Sequence, residues 1–280
     1  MTPLSDEEFR LFREWLADEY GLCFGEERRD ILRSRLEPLR SELRFASFRE
    51  LYYHLNFDSA GSGVQERLLP FLTNNESYFC RERPQLELLG SEILPALRDR
   101  LRAAGEKELR VLSAACAAGE EAYTLAIVVR ESGFFPPPWR VSITGGDLDA
   151  DALGRACRGT YGANALRGVE PDFRARFFRE QTSGVWEIDE RVRRIVAFRP
   201  LNLVDADWST TLPPQHVIFC RNVLIYFDDR AVARAVEQLH RALVPGGYLF
   251  LGHADSLNRV TTPFMAERRP GVICYRRMDD

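Results

Sequence analysis

RVLSAACAAGEEAYTLAIVVR, residues 110–130, opens on the apolar pair Val111-Leu112, as a buried strand does. It runs through small residues from Ser113 to Ala118 and turns at Gly119. From Glu120 onward Tyr123, Ile127 and Val128, with Leu125, Ala126 and Val129, fit a buried helix. A strand, a tight loop and a helix in that order predict the first unit of a nucleotide-type binding sheet. The loop lacks GxGxxG, and two acids at a helix start are poor neighbours for a pyrophosphate. They suit a ligand with ribose hydroxyls, an amino group or a positive centre. S-adenosylmethionine, a sulfonium without phosphate, has all three.

Outward from this unit, 280 residues provide for one large or two modest domains. A hydrophobic content of 45% and a charged content of 29% are those of a globular protein. No apolar run approaches the roughly 20 residues of a membrane span, so no membrane insertion is expected. The start, MTPLSDEEFR, lacks a basic segment followed by an apolar core, which predicts a cytoplasmic protein without a secretory signal. The scattered cysteines (Cys23, Cys80, Cys116, Cys157, Cys220, Cys274) form no CxxC pair and read as reduced thiols. Four histidines without HxH or HExxH spacing predict no metal site. A net charge of −4 gives no reason to expect nucleic acid as a partner. Lys107 is the only lysine, so positive charge is carried by arginine, which binds carboxylates bidentately.

Upstream, residues 5–56 read as short helices forming a small all-α domain. Ser5 and Glu8 make a capping box, with Phe9, Phe12, Trp15 and Leu16 as the apolar stripe. A second helix is predicted over 26–43, with Ile31, Leu32, Leu36, Leu39 and Leu43 inward and a kink or break at Pro38. Its other side carries Arg29, Arg33, Arg40 and Arg44, either a solvated face with internal ion pairs or a dock for an acidic helix. A third helix at 48–55 and a loop at 58–63 follow. Thr73-Asn-Asn-Glu-Ser77 between apolar neighbours reads as a capped turn or as a lid over a polar ligand.

Downstream, VSITGGD (141–147) is a second strand ending in Asp147, placed where open α/β sheets grip ribose; a helix N-cap at Asp147 or Asp149 is the alternative. A helix over 151–158 and a turn-rich exit follow. Alternation through 172–200, with a turn at Ser183-Gly184, predicts a small antiparallel insertion and then a strand closing on Asn202-Leu203. Further expectations are a strand over 215–219, a helix capped by Asp228 or Asp229 and running to Leu243, a turn at Pro245-Gly246-Gly247, a strand over 248–252, and an edge strand over 271–276. The fold class is therefore α/β: a doubly wound, Rossmann-like domain (86–280) with the insertion, after a helical domain and linker (1–85).

Taken together, TNNESYFCR (73–81), SAACAAGEEAYTLAI (113–127), FCRNVLIYFDD (219–229) and PGGYLFLGHADSL (245–257) strongly resemble the CheR family of chemotaxis receptor glutamate methyltransferases. The resemblance covers almost the whole chain, and FCRNVLIYFD is its most specific string. It implies transfer of a methyl group from S-adenosylmethionine to glutamate side chains of chemoreceptors, giving glutamyl methyl esters and S-adenosylhomocysteine. Other readings are a methyltransferase of this fold acting on another protein or a small acid, and a non-catalytic S-adenosylmethionine-binding signalling module.

By the same resemblance the cofactor contacts fall on Asn75, Ser77 and Arg81 of the TxNETxFFR segment. They continue at Glu120, with Glu121 its structural neighbour, at Asp147, at Asn202-Leu203 and at Asn222-Val223. Tyr226 matches a tyrosine beside the transferring methyl, and Arg81 or Arg98 is the candidate neutraliser of the substrate acid. Receptor helices would meet Arg29, Arg33, Arg40 and Arg44. Some members dock a receptor tether peptide on the insertion; here residues 180–187 are compact, which favours a member that does not need it. The chain departs from the pattern at Ser77 for Thr, Cys80 for Phe, Ala122 for Pro, and Gly145-Gly146 for Ala-Thr.

Overall fold

The computed structural model describes residues 3–58 and 61–278. Helix α1 (Asp6–Tyr20) starts at the predicted capping box: Ser5 and Glu8 exchange hydrogen bonds, which occupies backbone donors that the helix cannot pair itself. Helices α2 (Arg29–Glu42), α3 (Phe48–Phe57) and α4 (Gly61–Leu72) complete the helical domain. The arginine helix differs from expectation in two ways. It begins as a 3-10 turn over Glu26–Arg28 and then runs as a single α-helix through Pro38. Ile31 faces outward at 46% exposure, whereas Leu32, Leu36 and Leu39 are buried. Of the predicted 58–63 loop, positions 59 and 60 lie outside the described residues, and α4 already begins at Gly61.

After the segment 73–82 come α5 (Arg83–Leu88) and α6 (Leu94–Ala103), then alternating strands and helices: β1 (Glu108–Ala114), α7 (Glu120–Ser132), β2 (Arg140–Asp147) and α8 (Ala150–Arg158). Next are β3 (Thr160–Gly162), α9 (Pro171–Phe177), β4 (Phe178–Thr182), β5 (Val185–Ile188), α10 (Glu190–Arg193) and β6 (Val196–Pro200). The chain ends with β7 (Gln215–Cys220), α11 (Asp229–Ala242), β8 (Leu243–Leu251), β9 (Phe264–Arg269) and β10 (Val272–Arg277).

Among the described residues the main sheet has seven strands in the order β6-β2-β1-β7-β8-β10-β9. It is parallel from β6 to β8, and β10 enters antiparallel between β8 and β9. Strand order reverses between β1 and β7, which opens a crevice at their carboxyl ends.

Side chains alternate across this sheet into two cores. Leu109 and Val111 of β1, Val217 and Phe219 of β7, and Phe250 of β8 pack with α5, α6 and α7. Leu112 and Ala114, Ile218 and Cys220, and Leu249 and Leu251 face the other way, into a core shared with α11 and with α1 to α4. The helical domain therefore has no core of its own; it shares the core on one face of the sheet.

The insertion is a separate antiparallel sheet, β3-β5-β4, with its hairpin turn at Ser183-Gly184 as expected. Its extent differs. It recruits Thr160–Gly162 from the predicted turn, and Val196–Pro200 belongs to the main sheet. Pro245-Gly246-Gly247 likewise lies inside β8, where the register with β7 shifts between Gln215 and Val217. No helix of the described residues is long and apolar enough to cross a membrane.

Candidate functional site

The carboxyl ends of β1, β2 and β7 and the start of α7 form the floor of a cavity of about 320 Å³; segment 73–77 and α2 form its other walls. The loop after β1 threads Ala115 and Ala117 through left-handed backbone (φ 64° and 49°) before Gly119. Alanine carries only a methyl there, so the strain is the least that a side chain can impose.

Asp147 ends β2 and is buried. One of its oxygens accepts from Ala117 N (2.7 Å), the other from Asp149 N (2.9 Å). Each carboxylate oxygen keeps a lone pair for a further donor. Burial raises its pKa, and those two backbone bonds oppose the rise. The helix cap is Asp149, which accepts from Ala152 N at 3.0 Å and caps α8. The same side chain takes the Asn75 amide and, at 3.4 Å, the Thr73 hydroxyl. Segment 73–77 is thus tied across the crevice to the second strand.

Gly145 and Gly146 lie where the chain approaches too closely for any side chain. A Cβ at Gly145 would stand 2.6 Å from the Phe198 ring, and one at Gly146 2.6 Å from Leu201. Phe198 and Leu201 fill the volume that the Ala-Thr of the family pattern would take, so these departures do not loosen the site.

The two acids of α7 exchange their expected places. Glu121 reaches the cavity wall, where Arg221 holds it at 2.6 Å and Ser113 donates to it at 2.7 Å. Glu120 is 5% exposed and is not part of the cavity lining. Its Oε2 has no protein partner; burial raises its pKa, opposed in part by Ser77. The reason is helical geometry: consecutive side chains diverge by about 100°, so only one can face the crevice.

Ser77, Arg81, Asn202, Leu203, Asn222, Val223 and Tyr226 all line the cavity. Asn202 also donates to Glu19 O (2.8 Å), joining the site to α1. Asn222 has φ 58°, and its side chain packs against Gly252, where a Cβ would approach within 2.7 Å. The Tyr226 hydroxyl accepts from the Asn74 amide at 2.9 Å.

Arg98 requires correction. It sits on α6, bonded to Asp99 (2.7 Å) and placed over the Phe134 ring (5.1 Å), outside the cavity lining. Helix α6 lies against the opposite core, which fixes Arg98 away from the crevice. The expected arginine stripe is also largely matched within the chain. Arg29 pairs with Asp6 and Glu26, Arg33 lies 3.7 Å from Asp30, and Arg40 pairs with Glu37 at 2.7 Å. Arg44 lies beyond the end of α2 in left-handed backbone.

Several contributors escaped the sequence reading. Arg28, Ile31 and Arg35 line the cavity from α2 and the turn before it. Their spacing of three and four residues marks one helix face, a signal present in the sequence but read as core for Ile31. Asp255, within the quoted segment 245–257, accepts from the backbone N–H of Asn222, Ile225 and Gly252 and so builds the turn that presents Asn222 and Tyr226.

The donor set fits S-adenosylmethionine. Asp147 has spare lone pairs and Glu121 a carboxylate at the cavity wall; Arg81 is a cation for a carboxylate, and Leu148, Leu201 and Leu203 flank an apolar ring site. Comparisons with known proteins agree. The model "CheR methyltransferase, SAM binding domain" matches residues 75–271, and "CheR methyltransferase, all-alpha domain" matches residues 7–73. A chemotaxis protein methyltransferase of Vibrio parahaemolyticus is 34% identical over 279 residues, covering 96% of this chain and 97% of that protein. Chemotaxis protein methyltransferase 1 of Pseudomonas aeruginosa is 32% identical over 277 residues, covering 97% and 98%. The chain belongs to the CheR methyltransferase family, with S-adenosylmethionine as its cofactor.

Proposed function

We propose that the protein methylates glutamate side-chain carboxylates of chemoreceptors, giving γ-glutamyl methyl esters. The observation that carries this reading is the joint lining of one cavity: Asp147, Glu121 and Tyr226 from β2, α7 and the turn after β7 on one side, Arg28, Ile31 and Arg35 from the helical domain on the other. A small-molecule methyltransferase has no need for a cationic and apolar wall at the mouth; an acidic helix does.

S-adenosylmethionine supplies a methyl group on a positive sulfur, which a carboxylate oxygen takes while the bond to sulfur breaks and leaves a neutral thioether. Glutamate is ionised at neutral pH, with a free pKa of about 4.3, so no general base is needed. That matches a site without a nucleophile–base pair. The protein's task is alignment, for which effective molarity contributes roughly 7–11 kcal/mol, and exclusion of water, because attack neutralises charge.

In this reading Asp147 accepts from the ribose hydroxyls, and Asn202, Leu203, Asn222 and Val223 hold the adenosine. Arg81 takes the cofactor carboxylate, and Ser77 and Glu121 enclose its amino end, with Glu120 buried behind them. Asn75 holds the segment 73–77 closed through Asp149. Tyr226 donates its hydroxyl to the attacking carboxylate, and Arg28 and Arg35 draw the acidic helix to the mouth.

Incubation with methyl-labelled cofactor and receptor cytoplasmic fragments should yield label released as methanol by mild base. Base-stable label, or label confined to small acids, would overturn the reading.

A further inference from the structure

We infer that Asn74 is a positioning residue for the methyl transfer: its amide fixes the direction in which the Tyr226 hydroxyl gives its proton. The inference rests on the proposed role of Tyr226. The family pattern TxNETxFFR leaves this second place open, so nothing in the resemblance assigns Asn74.

The Asn74 Nδ2 lies 2.9 Å from the Tyr226 hydroxyl, across a sequence separation of 152 residues, and both side chains line the cavity. An amide nitrogen has hydrogens but no available lone pair, so the phenol oxygen must be the acceptor. The amide cannot turn over freely, because its Oδ1 accepts from Glu76 N at 3.4 Å. Glu76 is in turn held by Arg167 at 3.0 Å, and that guanidinium stacks 4.0 Å over the Tyr78 ring.

The other partner is equally fixed. Tyr226 donates its N–H to Val223 O (3.1 Å), and its carbonyl accepts from Cys23 N (2.8 Å), beside the bridge between Leu22 and Phe227. Asn74 is exposed and Tyr226 half-buried, but the amide oxygen of the first and the backbone of the second are both held where they meet.

A phenol O–H prefers the plane of its ring, which leaves it two directions. With a donor seated on one side of the oxygen, the proton takes the other, where a cavity occupant can accept it. A bond accepted by the oxygen also polarises the O–H, a strengthening of roughly 10–30% per bond. A carboxylate held by that proton presents its second oxygen to the methyl group.

The test uses the full chain with receptor fragments as substrate. It measures kcat, the KM for receptor, and the affinity for S-adenosylhomocysteine by titration calorimetry. Asn74→Ala is expected to lower kcat roughly three- to tenfold, the effect of one lost hydrogen bond, with cofactor affinity unchanged. Asn74→Asp, of the same shape, should lose more, because a carboxylate there accepts the Tyr226 proton and turns it away from the substrate. In a Tyr226→Phe background Asn74→Ala should cost nothing further.

An equal loss in both backgrounds, or Asn74→Asp as active as Asn74→Ala, overturns the inference while leaving the role of Tyr226 intact. Tyr226→Phe at the parent rate overturns both.

Discussion

Asp147 is the residue on which the proposed cofactor contacts depend most. Its two oxygens are each committed once, to Ala117 N and Asp149 N, so the side chain cannot swing and its remaining lone pairs point in set directions. Asp147→Asn keeps the shape but turns an NH2 against one of those N–H donors and removes the charge. The expected result is about a 10- to 100-fold loss of affinity for S-adenosylhomocysteine, the scale of a hydrogen bond to a charged group. Calorimetric titration reads it directly; unchanged affinity would remove Asp147 from the site.

The element at stake is the segment 73–77, which has no regular structure yet lines the cavity along its length. It is held by Asp149, which also caps α8. Asp149→Ala removes the cap and strands the Asn75 amide, while the Thr73 hydroxyl keeps its bond to Leu69 O at 3.1 Å. Loss of the cap alone costs about 1 kcal/mol, and the remaining bonds should bring the total to roughly 2–3 kcal/mol in urea unfolding. Asp149→Asn, a good cap, should recover part of the stability but less of the cofactor affinity.

This element shows where local reading stops. The sequence placed polar side chains at 73–77, but capped turn and lid are equivalent until the partner 76 residues away is known. The insertion has the same limit. Alternation marked strands over 172–200, yet which sheet each strand joins depends on partners outside that window.

At the scale of the molecule, the helical domain shares its core with one face of the sheet, so the proposed receptor-facing and cofactor-facing residues rest on one continuous core. Arg28 lines the cavity, and its contact with Glu27, at 3.9 Å, is looser than the pairs of Arg29 and Arg40 with Glu26 and Glu37. Arg28→Glu should raise the KM for receptor severalfold and leave affinity for S-adenosylhomocysteine unchanged. Reversal of Arg29 or Arg40 should instead lower the melting temperature, because each would face an acid of its own chain.

The sheet also carries a pH dependence. His216 is buried in β7, where desolvation and then the nearby Arg110 push its pKa down to about 4. The unfolded chain binds a proton near pH 6.5 that the native state refuses until about 4, so stability falls as pH drops through that window. The upper bound is about 3–4 kcal/mol, at 1.36 kcal/mol per unit. Glu120, Asp147 and Asp255 have raised pKa values and titrate in the opposite sense. The difference between the parent and His216→Asn, whose amide oxygen can accept the Arg110 N–H, isolates the histidine. Urea midpoints between pH 4 and 7 that stay parallel for the two proteins would refute its contribution.

The sequence by itself determined the strand-loop-helix at 110–130, the acid closing β2, the capping box, and the resemblance that named the cofactor. Each is a local pattern, legible because side-chain period, turn chemistry and motif spacing act within a few residues. Only the tertiary structure decided that Glu121 and not Glu120 faces the cavity, that Arg98 lies on the far core, that three of the four stripe arginines meet acids of the same chain, and that Asn74 reaches Tyr226. Those outcomes depend on which distant segments the two cores bring together. A charged or amide side chain takes its role from the partner it meets, and no local pattern encodes that partner.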